Sequence, residues 1–311
     1  MFASLSKAFF HALSGSRTLK TLASRYGMRR PTSFARRFIA GETVAEAIEA
    51  ARTLEARGIS HTLDLLGESV TTLDGAYAAT RDYLAMVDAV VQAGIGRNLS
   101  LKLTQLGIDA DKASAIDNLR RILERAEPAG FFVRIDMESS AYTAVTLEIF
   151  ETLWHHGHRQ IGVVLQSDLR RTEADLQRMN ALGARVRLVK GAYREPKAVA
   201  YQGKADVDQA YARMLETLLS QGNYPAIATH DPAMLDRAKR YAREHAIASD
   251  TFEFQMLYGI RRDLQTALVN EGYRLRIYVP FGREWFPYFM RRLGERPANV
   301  MFVLRGIAGE K

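Results

Sequence analysis

The chain has 311 residues, 47% of them hydrophobic, enough apolar material for one large core or two small ones. It contains no cysteine, which excludes disulfides and thiolate metal centres and is compatible with a reducing compartment. A net charge of +8 suits an anionic small molecule, a membrane surface or nucleic acid, but the basic residues are scattered among acidic ones and no nucleic-acid reader motif occurs.

In the first residues, Leu5, Phe9 and Leu13 recur at helical spacing, and Lys7 and His11 interrupt the apolar run. That pattern argues against a secretory leader or a membrane span and predicts an amphipathic helix, packed on the outside of the domain in preference to lying at a membrane interface. More helices are expected from Arg29 to Arg57, with Thr32 or Ser33 capping the first and Gly41 and Gly58 ending two of them.

From His61 the texture becomes regular. Short β-rich runs begin at His61, Leu99, Phe131, Gln160, Arg185, Pro225, Thr251 and Leu275. Between them lie amphipathic stretches from Thr72 to Ala93, Ala110 to Ala126, Thr143 to His155, Thr172 to Leu182, Val207 to Gly222, Pro232 to His245 and Arg261 to Glu271. The last run alternates from Leu275 to Val279. Pro280 and Gly282 should then break it before an aromatic helix carrying Arg291 and Arg292. Strand and helix alternating in this way predict an α/β fold, a parallel (β/α)8 barrel of the TIM type. No linker divides it, so the expectation is one domain over residues 1–311, with N-terminal helices in 1–58 and the barrel in 59–311.

In such a barrel the C-terminal strand ends and the loops after them form the active-site mouth. Collected on that basis, Asp64, Glu68, Lys102, Gln105, Asp136, Glu138, Gln166, Arg187, Lys190, His230, Glu253, Gln255 and Tyr278 give nearly every strand a polar end. For any one of them a structural ion pair is the plainer reading; agreement across the strands argues for a site. Adjacent arginines on a helix differ by about 100° in direction, so Arg291 and Arg292 cannot share a face. Planar guanidinium forks bind carboxylate or phosphate, which points to a small acidic ligand. His155, His156 and His158 precede the fourth strand, at the opposite end, and read as a solvated loop. No metal-ligand spacing, Walker A loop or GxGxxG fingerprint occurs.

Taken in order, LKLTQLG, VRIDME, VLQ, RLVKGAY, ATHD, FEFQML and RIYVPFG, closing with YFMRRLGE, resemble the proline dehydrogenase family, including the proline-oxidising domain of bifunctional proline utilisation flavoproteins. The resemblance runs from Leu63 to Glu295. It implies a distorted barrel holding non-covalent FAD at its mouth, with a final helix over the bound substrate. The activity it implies is oxidation of L-proline to 1-pyrroline-5-carboxylate by hydride transfer to flavin N5, the first step of proline catabolism to glutamate. A membrane quinone would reoxidise the flavin. The protein would be cytoplasmic, touching the inner face of the membrane at most peripherally.

The resemblance also assigns residues. Arg291 and Arg292 would grip the substrate carboxylate, Tyr278 and Tyr288 would pack on the pyrrolidine ring, and Leu257 would close the pocket. Lys102 and Asp136 would hold the proline site together by charge, and Asp136 and Arg187 are the catalytic candidates, Arg187 standing by the flavin N5 and O4 region. Met137, Gln166, Lys190, Gly191, Ala192, Tyr193, Thr229, His230, Gln255 and Glu295 would complete the FAD site. Apart from the resemblance, Lys102 or Lys190 could be the Schiff-base lysine of a barrel lyase or aldolase acting on a small anion. His230, before Asp231 and Pro232, could equally be a packed residue or a hydrogen bond at the start of a helix. Glu68, at the mouth in LGESV, is expected to pair with Arg291 when proline is bound and so to close the pocket.

Overall fold

The structure is a computed structural model that describes Met28 and residues 33–295; the amphipathic segment at residues 1–17 and Thr32 lie outside the described residues. Of the helices expected from Arg29 to Arg57, the described part contains one 3-10 turn at Phe34–Arg37, with Ser33 at its N-cap position, and one helix, α1 (Val44–Glu55). Helix α1 starts on a capping box, in which Thr43 Oγ1 accepts from the Glu46 amide at 3.3 Å and Glu46 Oε2 accepts from the Thr43 amide at 3.0 Å. Gly41 precedes this helix instead of ending one.

Beyond α1 the chain alternates strictly. It runs through β1 (Ser60–Leu65), α2 (Leu73–Ala93), β2 (Asn98–Leu101), α3 (Lys112–Ala126), β3 (Phe132–Ile135), α4 (Ser140–His155), β4 (Ile161–Gln166) and α5 (Thr172–Ala181). It continues as β5 (Arg185–Val189), α6 (Lys204–Gln221), β6 (Ala226–Ala228), α7 (Pro232–Glu244), β7 (Glu253–Leu257), α8 (Arg262–Asn270), β8 (Leu275–Phe281) and α9 (Trp285–Glu295). The strands pair in sequence order as a closed parallel barrel, and β8 joins β1 in register from Ser60 opposite Arg276 to Leu65 opposite Phe281. Helix starts follow side-chain chemistry: Thr72 accepts from the Gly75 amide, Asp111 from the Ser114 amide, and Asp231 from the Ala233 amide just after Pro232.

One expectation about the last strand is corrected. Strand β8 does not break at Pro280 but continues to Phe281. Its pairing with β7 has already stopped at Tyr278, so the missing amide of Pro280 leaves no ladder bond unmade on that side.

The main core fills the barrel and the layer beneath its helices. Helix α3 illustrates the periodicity, turning Ala115, Leu119, Ile122, Leu123 and Ala126 inward, and each fully buried leucine or isoleucine contributes about 1.5–3 kcal/mol. A second, smaller cluster seats α9. Trp285, Phe286, Phe289 and Leu293 pack on Ala35, Phe38 and Ile39, with Leu66 and Ile260 supplied by the loops after β1 and β7. The Trp285 indole donates to Glu42 Oε1 at 2.9 Å and closes this seat.

The loop after β7 reaches the same seat through Gly259, whose φ is +72° and where an added Cβ would lie 1.6 Å from the Arg37 carbonyl oxygen. Gly259→Ala therefore combines left-handed strain with a backbone clash, and we expect a loss of about 2–4 kcal/mol, read as a lowered melting temperature. A melting curve that matches wild type would mean that residues 33–40 do not anchor this loop.

Candidate active site

Because successive residues on a strand face opposite sides, polar residues two apart on β2, β3 and β7 reach the barrel interior together. At the C-terminal strand ends they meet around Asp136. Its Oδ1 accepts from Arg187 Nη1 at 2.8 Å, and its Oδ2 accepts from Tyr278 Oη at 2.7 Å and from Lys102 Nζ at 3.5 Å. Lys102 Nζ also donates to Asp64 Oδ1 at 3.1 Å and to Tyr278 Oη at 3.3 Å. Arg187 is held from three sides: besides Asp136, Nε donates to Gln255 Oε1 at 2.5 Å and Nη2 to Ser100 Oγ at 3.0 Å. Its guanidinium carbon stands 5.3 Å from the centre of the Tyr278 ring.

Two cations thus face two carboxylates in a buried space. Burial works against the charge on Lys102, but Asp64, Tyr278 and Asp136 outweigh it and hold the ammonium well above the ordinary lysine range. A lysine kept protonated in this way is a poor Schiff-base nucleophile. Lys190, the other candidate, is clamped between Asp208 Oδ1 at 2.5 Å and Asp231 Oδ2 at 2.7 Å. Burial raises the Tyr278 phenol well above its usual range, with Asp136 and Asp64 adding to the effect, so Tyr278 stays a neutral donor.

Around this floor the remaining strand ends form a rim. Glu138 accepts from the Thr104 amide at 3.1 Å and from Thr104 Oγ1 at 2.6 Å, and burial raises its carboxyl above the usual range despite those bonds. Gln166 Nε2 donates to the Glu138 carbonyl at 2.9 Å, next to the buried Met137. After β5 the chain turns at Gly191, where φ is +108° and a Cβ would come within 2.1 Å of Asp168 Oδ2. A glycine is the residue that leaves this turn open. Ala192 is exposed behind it. Tyr193, half-buried, has its phenol pushed up to about 12 by burial, within the fields of Lys102, Glu138, Arg291 and Glu68. Thr229 Oγ1 accepts from the Asp231 amide at 3.1 Å, and His230 Nε2 accepts from the Leu257 amide at 2.9 Å. With Nε2 accepting, the neutral imidazole of the half-buried His230 carries its proton on Nδ1.

Helix α9 lies over the ends of β1, β7 and β8, where Leu257 and Tyr278 pack against its aromatic cluster. Tyr288 and Arg292 on α9 are buried, with the Arg292 guanidinium 5.0 Å from the Tyr288 ring centre. Arg291 is turned the other way and forks onto Glu68, Nη1 to Oε1 at 2.5 Å and Nη2 to Oε2 at 3.3 Å. The backbone just after Glu68 is left-handed, with Ser69 at φ +57°. Between α9 and α2 opens a cavity of about 750 Å3 lined by Glu68, Lys102, Tyr288 and Arg291 among others. The side chain of Glu295 lies outside the described residues.

Most of the expected residues therefore meet at one end of the barrel, and Glu253 is the exception. As the first residue of β7 it sits at the opposite end, bridged to Arg276 at 2.8 and 3.0 Å, because the strand begins two residues later than the β-rich run. His155 and His156 hydrogen-bond to carbonyls one turn back in and after α4, and His158 pairs with Glu127, all near the strand starts. Among the described residues no group of three or more His, Cys, Asp or Glu could hold a metal ion. Sequence reasoning missed Ser100 and Tyr83, whose phenol donates to Gln105 Oε1 at 2.9 Å. Ser100 carried a signal, since it lies two residues before Lys102 on the same strand face.

The comparisons with known proteins agree with one another. Residues 47–305 match the family model described as proline dehydrogenase. The chain is 44% identical over 279 residues to the proline dehydrogenase of Deinococcus radiodurans, covering 88% of this chain and 90% of that protein. It is 40% identical over 303 residues to proline dehydrogenase 2 of Bacillus subtilis, covering 97% of this chain and 99% of the other. Among solved structures, proline utilization A from Bdellovibrio bacteriovorus, inactivated by N-propargylglycine, superposes with a TM-score of 0.78 at 28% identity, covering 84% of this chain but only 32% of that one. The ordered strand-end motifs, the closed barrel and these matches place the chain in the proline dehydrogenase family.

Proposed function

We propose that the protein oxidises L-proline to 1-pyrroline-5-carboxylate, with FAD as its bound cofactor and a membrane quinone as the final oxidant. The observation that carries this reading is a cationic lid, Arg291 and Arg292 on α9, set over the barrel end where Lys102, Asp136, Arg187 and Tyr278 are tied together. A small amino acid with a carboxylate fits that combination. The two guanidiniums bind the carboxylate, Tyr278, Tyr288 and Leu257 shape the space for the ring, and Lys102 and Asp136 fix the floor.

The residues also fit a flavin. Arg187 supplies a cation immobilised by three hydrogen bonds, and the turn at Gly191, which only glycine fits beside Asp168, leads to the exposed Ala192. Gln166, Gln255, Thr229 and Met137 line the same strand ends, Tyr193 covers them from the loop after β5, and Glu295 closes the assigned set. Lys190 and His230, engaged with Asp208, Asp231 and the Leu257 amide, brace this wall from behind. When bound, FAD supplies the acceptor for the two electrons that leave the proline ring carbon next to nitrogen. Arg187 favours the negative charge that accumulates there, and closure of α9 excludes water.

No described helix is long and apolar enough to cross a membrane. Contact with a membrane quinone is then peripheral, at the cytoplasmic face, and the basic balance of the chain favours an anionic surface.

Four substitutions test these roles. Arg291→Met and Arg292→Met, made separately, should each raise the KM for proline by tens to thousands of fold while FAD content is kept, since truncating one partner of a buried charged hydrogen bond costs about 2–5 kcal/mol. Unchanged proline kinetics in both would remove the carboxylate clamp. Arg187→Ala should lower kcat and shift the flavin potential downward in protein that still binds FAD; an unaltered potential would leave Arg187 a purely structural ion-pair member. Glu68→Ala should change the proline KM or the flavin reduction rate by about threefold or more with FAD content intact. An idle surface pair, worth about 0–1 kcal/mol, would leave both unchanged.

A further inference from the structure

A second cavity, of about 470 Å3, opens at the other end of the barrel, where the strands begin. Its wall includes His61, Arg97, Phe132, Arg185 and Arg276, with Glu55 at its rim. Arg134 lies just behind, buried, its guanidinium 4.8 Å from the Phe132 ring, while Arg185 stacks on the same ring at 4.4 Å. Four guanidiniums are thus gathered at a place the proposed oxidation does not use.

The carboxylates near them are already committed. Glu253 takes both forks of Arg276, at 2.8 and 3.0 Å. Glu55 Oε1 accepts from the Gly96 amide at 2.6 Å and lies 3.0 Å from His61 Nε2. Glu127, outside the cavity lining but bonded to Gln160, is taken by His158 at 2.9 Å and the Gln160 amide at 3.3 Å. Arg134 spends its guanidinium on the carbonyls of Val163 and Arg185, at 3.2 and 2.6 Å.

Two cations are left over. Arg97 donates to the Ala129 carbonyl at 2.5 Å and has no carboxylate partner among the described residues. Arg185 makes no side-chain hydrogen bond among them; it is held by stacking, 4.4 Å from the rings of both Phe132 and Tyr224. Stacking fixes the plane of a guanidinium and leaves its edge, the part that binds oxyanions, unused. The neighbourhood is short of negative charge as well. Burial lowers the pKa of Arg185, Glu253 opposes that and Arg276 adds to it, while burial lowers that of Arg134 strongly, with Arg187 and Arg185 contributing.

We propose that this cavity binds a small dianion, of the phosphate or short-dicarboxylate class, held by the free edge of Arg185 and by Arg97. Such a ligand supplies the charge the arginine cluster lacks and presents oxygen pairs that match a guanidinium fork. The site lies at the face of the barrel that serves stability, so occupancy stabilises the fold without entering the reaction.

The test uses the FAD-loaded enzyme and measures melting temperature and calorimetric binding with phosphate, sulfate and malonate, ionic strength being held constant with chloride. At least one dianion should bind saturably and raise the melting temperature where chloride does not. Phosphate and sulfate binding without malonate identifies a phosphoryl-type ligand; malonate binding identifies a dicarboxylate. Arg185→Gln should weaken that binding about tenfold or more and leave proline kinetics unchanged, and Arg97→Gln, an exposed substitution that spares the core, should do the same. The proposal is overturned if no dianion saturates at millimolar concentration, if both variants bind as wild type does, or if proline displaces the dianion.

Discussion

The strand-end face of the barrel depends on the carboxylate of Asp136. Its two oxygens take Arg187, Tyr278 and Lys102, from β5, β8 and the end of β2, and Lys102 passes the link to Asp64 on β1. Burying charges in this way is tolerated only when each has a partner, and removing one partner of such a set costs about 3–5 kcal/mol because another is left alone. The cluster therefore binds elements far apart in sequence to one geometry. That rigidity is what a site must have if a substrate carbon is to be held against a flat cofactor, where misplacement of about 1 Å is costly.

The lid has a different support. Helix α9 is anchored at its start by apolar contacts, with Trp285, Phe286 and Phe289 seated on residues 35–39 and the indole tied to Glu42. Its later turns carry Tyr288, Arg291 and Arg292 over the mouth, where the Arg291–Glu68 pair adds to the apolar packing of Leu293. The helix thus has an apolar anchor along its length and an ion pair beside the cavity. The segment before the barrel thus belongs to the site through the helix it supports.

The two ends of the barrel divide the charged residues between two tasks. At the mouth, Lys102 and Arg187 balance Asp64 and Asp136. At the strand starts, Glu253 and Arg276 lock β7 to β8 while further arginines outnumber the carboxylates near them. Arg187 and Arg185 show how close these two ends lie in sequence: both are on β5, two residues apart, and one is tied to Asp136 while the other lines the opposite opening.

Much of this was legible in the sequence because its determinants are local. Alternation at Leu275 to Val279 and the amphipathic spacing of stretches such as Ala110 to Ala126 follow from backbone periodicity, so strand and helix order and the closed barrel could be read in advance. Their place at the C-terminal ends of the expected strands named Lys102, Asp136, Arg187, Gln255 and Tyr278 as residues of the mouth. Register and closure decided the rest. Which carboxylate takes which cation depends on how strands distant in sequence align, so the sequence alone could not show that Lys190 is spent on Asp208 and Asp231, that His230 accepts from the Leu257 amide, or that Glu253 belongs to the opposite end. It also could not show that residues 35–42 carry the lid, because an aromatic helix states that it will be buried and leaves its partner to the tertiary structure.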